Sequence, residues 1–390
     1  MLKNLARSLK KTPLAWKQLT RQKTRMAVAL AGIAFADMLM FVQMGLLDAL
    51  FDSAARPHQS LQGDLVVVNP QFESLFYVKS FPRERLYQTL ADPEVTAVRS
   101  LYVNSVQWRN PENLTSRGIL AWGLDPTDPA MQIEDLDGDL QDLKLLNTIF
   151  FDRASRPEYG PISTLLQEQN PLSIQAEGKR LEVRGLFSLG ASFGADGNLI
   201  ASDSTFLQLF PGHSPDQIMV GLMDVVPGAD VQEVQTRLQN TLGDGVRVLT
   251  PEQFGQLEVE YWGNQGIGFI FGMGTAVGFL VGIVIVYQIL HSDVSDHLPE
   301  YATLKAMGYT NGYLLKVLFQ ESLFLAALGF VPGVLLSMGL YHITYTATLL
   351  PVVMKLDRAI TVLILTLIMC SLSGGIVMQK LRSADPADVF

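Results

Sequence analysis

The sequence predicts an α-helical membrane protein with four transmembrane helices plus a large external α+β domain inserted between the first and second helices. Hydrophobic residues make up 48% of the 390 residues and charged residues only 17%, whereas a soluble globular chain has about 25% charged residues. Four apolar segments are each long enough to cross a bilayer, which takes about 20 residues. The stretch between the first two segments contains β-branched and aromatic runs that are typical of strands.

The predicted spans cover residues 26–47, 266–290, 317–341 and 359–378. The first apolar run is longer than the 7–15 residues of a signal-peptide core, and a long basic segment precedes it. We therefore interpret it as an uncleaved anchor. The single cysteine, Cys370, excludes a disulfide within the chain and a cysteine-based zinc site.

Basic residues near the span ends predict the orientation. Residues 1–25 hold eight Lys and Arg and no acid, and such positive segments stay in the cytoplasm. Crossing in order then places residues 48–265 and 342–358 outside, and residues 291–316 and the tail 379–390 inside. Since the external domain holds 15 basic against 30 acidic residues, the basic arm is a topology signal and does not suggest a nucleic-acid binder.

Small residues repeat along one face of the second predicted span. Gly274, Gly278 and Gly282 are each four residues apart, a spacing that lets another helix approach closely. Two interpretations remain open: packing against another helix of the same chain, or a contact with a second subunit or a gate.

Three polar side chains fall within the predicted spans: Asp37, Gln320 and Glu321. Such groups avoid lipid and face a bundle interior, a partner or a water path. A conformational pivot or a hydrogen bond between helices is favoured over a proton relay.

The external domain is predicted to alternate strands with helices. Strands are expected at 65–69, 95–108, 117–124, 216–225 and 246–250, with a hairpin over 172–187. Residues 227–243 have the apolar spacing of a helix, and Asp230 is suited to cap it.

No pattern in the chain indicates catalysis. Zinc-protease, serine-hydrolase and P-loop motifs are all absent from the sequence. Residues 135–143 resemble part of a calcium loop but lack its full pattern, so an acidic surface loop is favoured.

A short polar stretch separates the second and third spans. Its apolar residues recur at helical spacing, Pro299 fits a first helical turn, and Gly308 suits a helix end. A helix lying on lipid is usually rich in Lys and Arg, but here Lys305 stands against two acids. The helix is therefore expected to insert its apolar face into a protein partner.

Residues 300–315, "EYATLKAMGYTNGYLL", resemble the E-x-x-x-L-K-A-x-G segment of the MacB/FtsX-like permeases of ABC transporters, the type VII class. Residues 15–41 resemble the amphipathic entry helix and first span of these permeases. Residues 226–238 resemble a strand-to-helix element of their periplasmic domain, and residues 381–390 resemble their C-terminal tail. Within the family, the segments "AFADMLMFVQMG" and "SDVSDHLPEYATLKAMGY" are most similar to the DevC-like permease subunits of DevBCA-type exporters.

The resemblance implies a non-catalytic inner-membrane subunit that works as a homodimer. It implies no cofactor on this chain, because ATP and Mg would be bound by a separate DevA-like ATPase. A DevB-like periplasmic adaptor and a TolC-like outer-membrane channel would complete an export path, with glycolipid as a candidate cargo. Motion of the ATPase would reach the periplasmic domain by mechanotransmission. The expected ATPase-coupling residues are His297, Leu298, Glu300, Tyr301, Leu304, Lys305, Met307 and Gly308.

Three other functions remain open. FtsX-type relatives use the same scaffold to activate a periplasmic hydrolase instead of moving cargo. A membrane enzyme is disfavoured because no nucleophile–base or metal constellation occurs in the sequence. A sensor with membrane anchors is disfavoured because it would not need a cytoplasmic lever.

Overall fold

The computed structural model of the chain describes residues 23–296, 303, 307 and 310–383. Contacts divide the chain into a helical unit and a mixed unit. The helical unit takes the described residues up to 48, from 267 to 347 and from 352 onward, and the mixed unit takes 49–266 and 348–351.

The first helix, α1 (Lys23–Gln59), is 37 residues long. The predicted span, 26–47, is only part of it. Hydropathy marks the apolar segment, but backbone hydrogen bonds continue through the polar residues that follow. Residues from 49 onward in this uninterrupted helix belong to the mixed unit.

The mixed unit combines short helices with strands. Its helices are α2 (Arg83–Gln88), α3 (Ile162–Glu168), α4 (Asp203–Leu209), α5 (Val231–Leu242) and α6 (Pro251–Asn264). Its strands are β1 (Leu65–Val68), β2 (Phe81–Pro82), β3 (Val95–Arg109), β4 (Ser116–Leu124), β5 (Glu134–Asp137), β6 (Thr148–Asp152), β7 (Leu172–Ala176), β8 (Lys179–Ser188), β9 (Asn198–Ser202), β10 (Gln217–Ile218), β11 (Val220–Val225) and β12 (Arg247–Leu249).

Ten of these strands form one sheet. The order is β12-β1-β11-β3-β4-β9-β6-β8-β5, and β7 pairs with both β3 and β8. The strands β3, β4, β9, β6, β8 and β7 therefore close a ring, in which parallel and antiparallel pairs are mixed. A single cluster of buried apolar side chains fills the unit and includes the fully buried Trp108, Trp122 and Phe150.

The predicted hairpin over 172–187 is present as β7 and β8. Its turn residues, Glu177 and Gly178, have φ values of 50° and 71°. Two successive residues with positive φ are what a type I′ turn requires, and this turn matches the twist of the paired strands. Asp230 also caps α5 as predicted, because its side chain accepts hydrogen bonds from the backbone N–H groups of Gln232 and Glu233.

Two expectations for the mixed unit need correction. The single strand expected over 216–225 is split, because β10 pairs with β2 in a separate sheet while β11 pairs with β1 and β3. The acidic loop expected over 135–143 is partly regular: its first residues belong to the exposed edge strand β5, and the rest includes a 3-10 helix at Leu140–Lys144.

Three further long helices complete the helical unit: α7 (Ile267–Asp296), α8 (Asn311–Thr348) and α9 (Leu356–Ser383). With α1, these are the four helices in the described residues that are long and apolar enough to cross a membrane. Both α8 and α9 extend beyond the predicted spans 317–341 and 359–378, for the same reason as α1. In chain order, the mixed unit lies between α1 and α7.

Candidate functional site

The helical unit contains a line of buried polar and small residues along α1. This helix contacts α7, α8 and α9, and the contacts occur at three levels along its length. We call the contacts at these three levels, whose residues are given in the next paragraphs, the α1 contacts. The arrangement joins helices that are far apart in sequence.

The first level joins the beginning of α1 to the end of α7. Arg25 Nη1 lies 3.4 Å from Asp293 Oδ1, and Arg25 Nη2 donates a 2.9 Å hydrogen bond to Ser292 Oγ. The same guanidinium also pairs with Asp296. One planar side chain therefore holds the last turn of α7 by three polar groups, which the multiple donors of arginine allow.

Buried Glu321 of α8 belongs to the same end of the bundle. Its side chain is 2% exposed, and its Oε2 has no hydrogen-bond partner among the described residues. Its carboxylate is close enough to Asp293 for the two charges to interact electrostatically. Gln320 is half-buried beside it. Three acids, Asp293, Asp296 and Glu321, therefore lie at this end of the bundle, and Arg25 pairs with the first two.

The second level lies in the middle of the bundle. The Thr366 hydroxyl of α9 donates a 2.6 Å hydrogen bond to Asp37 Oδ1, while Asp37 Oδ2 has no hydrogen-bond partner among the described residues. Close packing surrounds this carboxylate: a Cβ added at Gly333 of α8 would lie 2.8 Å from Asp37 Cβ. A buried polar group of this kind fixes the relative register of the helices that surround it.

The glycines of α7 lie against α1 of the same chain. A Cβ added at Gly278 would lie 3.2 Å from Leu39 Cβ. At Gly282 it would lie 2.9 Å from Ala36 Cβ and even closer to Met369. At Gly274 it would meet the side chain of Gln43. This geometry corresponds to the first of the two interpretations, packing within one chain.

The third level joins the end of α8 and the beginning of α9 to α1. Arg358 of α9 is 2% exposed, and its Nε donates a 3.0 Å hydrogen bond to Asp48 Oδ2. Its Nη1 donates to Tyr341 Oη at 3.1 Å and to the Val353 carbonyl at 3.0 Å. Tyr341 in turn donates to the carbonyl of Phe41. One buried guanidinium thus connects α1, α8 and α9.

Most of the expected ATPase-coupling residues lie outside the described part of the chain: His297, Leu298, Glu300, Tyr301, Leu304, Lys305 and Gly308. Met307 is described and is 64% exposed. Its N–H donates a 3.0 Å hydrogen bond to the carbonyl of Thr303, which is the spacing of one helical turn. The helix expected over this stretch remains a prediction.

Sequence reasoning missed several members of the α1 contacts: Arg25, Asp48, Asp293, Tyr341, Thr366 and Arg358. Arg358 offered a signal, since it stands at the edge of an apolar run, where a charged residue often has a specific partner. For Thr366, no signal existed, because one hydroxyl within an apolar helix usually bonds its own backbone.

The mixed unit contains no candidate metal centre in its described residues. Throughout the described ranges, no group of three or more His, Cys, Asp or Glu side chains is arranged to hold a metal ion. The acidic stretch 135–143, which resembles part of a calcium loop, therefore contributes to no such group among the described residues.

The described chain thus combines four helices that are long and apolar enough to cross a membrane with a large mixed α/β domain, which lies between the first and second of them in chain order. Residues 272–386 match the family model "FtsX-like permease C-terminal". This part of the chain, which contains most of α7 and all of α8 and α9, is therefore similar to the C-terminal domain of FtsX-like permeases.

Solved structures of low sequence identity are similar to the chain over about half of its length. One is the periplasmic region of MacB from Actinobacillus actinomycetemcomitans, with 13% identity, a TM-score of 0.35, and coverage of 50% of this chain and 92% of that one. Another is the extracellular domain of the noncanonic ABC-type transporter YknZ from Gram-positive bacteria, with 15% identity, a TM-score of 0.33, and coverage of 48% and 99%. Among curated proteins, no sequence matches this chain.

Proposed function

We propose that this protein is a MacB/FtsX-like permease subunit of an ABC transporter and that a separate subunit hydrolyses ATP. The observation that carries the proposal is the FtsX-like permease match over residues 272–386. It includes the stretch between α7 and α8 in which the sequence places the coupling residues. No P-loop motif occurs in the sequence, so the chain would receive energy from a partner.

The α1 contacts support a mechanical role. A push on residues 297–309 would move the adjacent end of α7, which Arg25 connects to α1. An uninterrupted helix of 37 residues, at 1.5 Å rise per residue, can carry this displacement along its axis. Because α1 is also attached to α8 and α9 by Asp37 and Arg358, the four helices would tilt together.

A finer proposal follows from the resemblance to DevC-like subunits. In it, a homodimer of this chain sits in the inner membrane with both termini in the cytoplasm and the mixed unit in the periplasm. A DevA-like ATPase binds below, and a DevB-like adaptor and a TolC-like channel bind above. The tripartite complex would expel cargo, with glycolipid as the first candidate. The alternative is a transducer that activates a periplasmic hydrolase.

Association with the partner ATPase, together with export, tests the proposal most directly. The full-length chain is purified with its ATPase from cells that express both, as wild type and as Leu304→Asp. We expect the variant to insert normally but to lose ATPase association and export, because a charge would replace an apolar contact. The matched control is Leu146→Asp, at an exposed leucine of the mixed unit, which should behave as wild type. Normal association and export in the Leu304 variant would contradict the coupling role.

The partner that is captured on the periplasmic side distinguishes an exporter from a transducer. Crosslinking in cells, followed by purification of the full-length chain, should recover an adaptor and an outer-membrane channel if the chain exports cargo. Recovery of a cell-wall hydrolase, without an adaptor, would favour the transducer.

A further inference from the structure

Five aromatic side chains form a cluster on the surface of the mixed unit: Phe76, Tyr77, Phe193, Tyr261 and Trp262. The Trp262 ring centroid lies 4.8 Å from that of Phe193 and 6.2 Å from that of Phe76. Tyr261 stacks edge-on against Trp262 at 5.1 Å and lies 5.9 Å from Tyr77. We call this group the aromatic cluster.

The aromatic cluster lies at the edge of the hydrophobic core, and Phe76 packs against that core. The large core rings, such as Trp108 and Trp122, are fully buried, whereas Tyr77 is 61% exposed and the other rings of the cluster are half-buried. Rings that pack on each other and stay partly exposed present apolar surface to the surroundings. Such surfaces mark sites of interaction with proteins, ligands or membranes.

One buried carboxylate organises the cluster. Glu258 of α6 is 2% exposed; its Oε1 accepts a 2.9 Å hydrogen bond from the Trp262 indole N–H, and its Oε2 accepts one of 2.9 Å from the Leu75 backbone N–H. The first bond orients Trp262, and the second holds the loop that carries Phe76 and Tyr77. His58 of α1 lies behind it, with Nε2 3.6 Å from Glu258 Oε2.

With this arrangement, the rings are suited to contact a partner surface that is apolar and has polar groups at its edge. Because the indole N–H of Trp262 already has its partner inside the protein, the ring can contact apolar groups without losing a hydrogen bond. The hydroxyl groups of Tyr77 and Tyr261 provide polar edges beside the rings. The charged residues within three positions of the rings are one base, Lys79, and four acids, Glu73, Asp196, Glu258 and Glu260.

The cluster is close in sequence to a membrane-length helix. Trp262 is five residues before Ile267, where the membrane-length helix α7 begins. Five residues span at most about 18 Å when fully extended, and the chain is helical as far as Asn264, which shortens this reach. The headgroup layer on each side of a bilayer is about 5–8 Å thick. Tryptophan and tyrosine are enriched in that layer.

We propose that the aromatic cluster is a membrane-surface contact, which binds phospholipid at the boundary between headgroups and acyl chains. The apolar ring faces supply the binding and headgroup charge does not, because the residues within three positions of the rings hold one base against four acids. The contact would seat the mixed unit on the bilayer through α6 and the loop that contains Tyr77. It goes beyond the proposed transport function and holds equally for an exporter or a transducer.

The test measures the depth of a label at residue 77. The full-length chain, carrying Cys370→Ala and Tyr77→Cys, is labelled with a small fluorophore and placed in phosphatidylcholine nanodiscs that contain lipids with a nitroxide near the headgroup. Tyr87→Cys in the same background is the matched control, because Tyr87 is also an exposed tyrosine of the mixed unit, at 53%. We expect severalfold stronger quenching at 77 than at 87, unchanged when anionic lipid replaces part of the phosphatidylcholine.

Equal quenching at the two positions would overturn the proposal. So would a label at 77 that is shielded from an aqueous quencher yet not quenched by the nitroxide lipid, because a protein would then cover the cluster. A second measurement leaves Tyr77 intact: quenching of intrinsic fluorescence by lipids brominated near the headgroup, compared between wild type and Trp262→Phe. The brominated lipids should quench the Trp262 fluorescence of the wild type, which the variant lacks. Identical quenching in the two proteins would contradict the lipid contact.

Discussion

Thr366, on the fourth long helix, donates a 2.6 Å hydrogen bond to Oδ1 of Asp37, on the first. These two residues are 329 positions apart in sequence, and both are fully buried. The bond joins α1 and α9, the first and the last of the long helices, in the middle of the helical unit. It makes Asp37 a packing and register element between helices, which agrees with the pivot or interhelical bond that its position in an apolar segment favours.

Thr366→Val should destabilise the protein, because it removes the hydrogen bond to Asp37 while leaving the volume unchanged. An acceptor that is buried and left unpaired costs about 1–3 kcal/mol. Thr361→Val is the control: that hydroxyl is exposed and, among the residues that the structure describes, bonds the Asp357 carbonyl of its own helix. Thermal unfolding in detergent should show a lower midpoint for the first variant alone, and equal midpoints would remove the structural role assigned to Asp37.

Gly333→Ala should force α8 away from α1. A Cβ at this position would lie 2.8 Å from Asp37 Cβ and 3.4 Å from Ala34 Cα, and overpacking of this kind costs about 1–3 kcal/mol. Gly339→Ala on the same helix meets nothing within 4 Å, and alanine there should be neutral or stabilising by about 0.5–1 kcal/mol. A lower unfolding midpoint than wild type for Gly333→Ala, with an equal or higher midpoint for Gly339→Ala, would support the observed packing. A wild-type midpoint for Gly333→Ala would contradict it.

Arg358→Lys should weaken the third level of the α1 contacts even though the charge is kept. The guanidinium donates to Asp48, Tyr341 and the Val353 carbonyl at once, and an ammonium group cannot reproduce that planar geometry. We expect a lower unfolding midpoint than for wild type and a larger loss for Arg358→Ala. Arg109→Lys, at an exposed arginine of the mixed unit, should leave the midpoint unchanged. A wild-type midpoint for Arg358→Lys would show that charge alone suffices.

Glu258 should make stability depend on pH. Burial raises the pKa of Glu258 from 4.5 to about 7, so the folded state binds more protons than the unfolded state between these two values. The free energy of unfolding should therefore fall as pH rises through this window, by about 3 kcal/mol at 1.36 kcal/mol per pKa unit.

Glu258→Gln isolates this effect, because His58 and every other titratable group are the same in both proteins. The full-length variant should lack the wild-type loss of stability between pH 5 and 7.5, measured by thermal unfolding at a series of pH values. Parallel pH profiles for the two proteins would mean that the Glu258 carboxyl is not perturbed by its burial.

Individual elements show how far sequence reasoning extends. The hairpin turn at Glu177–Gly178 and the cap at Asp230 were predictable, since both depend on neighbours within three residues. The split between β10 and β11 was not, because it depends on Phe81 and Pro82, more than a hundred residues away in the chain. In the site, the spacing of Gly278 and Gly282 predicted close packing, but only the fold identifies α1 as the partner helix.

By itself, the sequence determined four membrane-length apolar segments, a strand-rich domain between the first two and a buried role for Asp37 and Glu321. Hydropathy, strand patterning and the cost of polar groups in lipid are local properties that the residues carry with them. Only the tertiary structure decided that Arg25 binds the end of α7, that Arg358 binds Asp48 and Tyr341, and that Glu258 organises five aromatic rings. These contacts join residues far apart in sequence, and local patterns of residues do not determine which distant side chains meet in the folded protein.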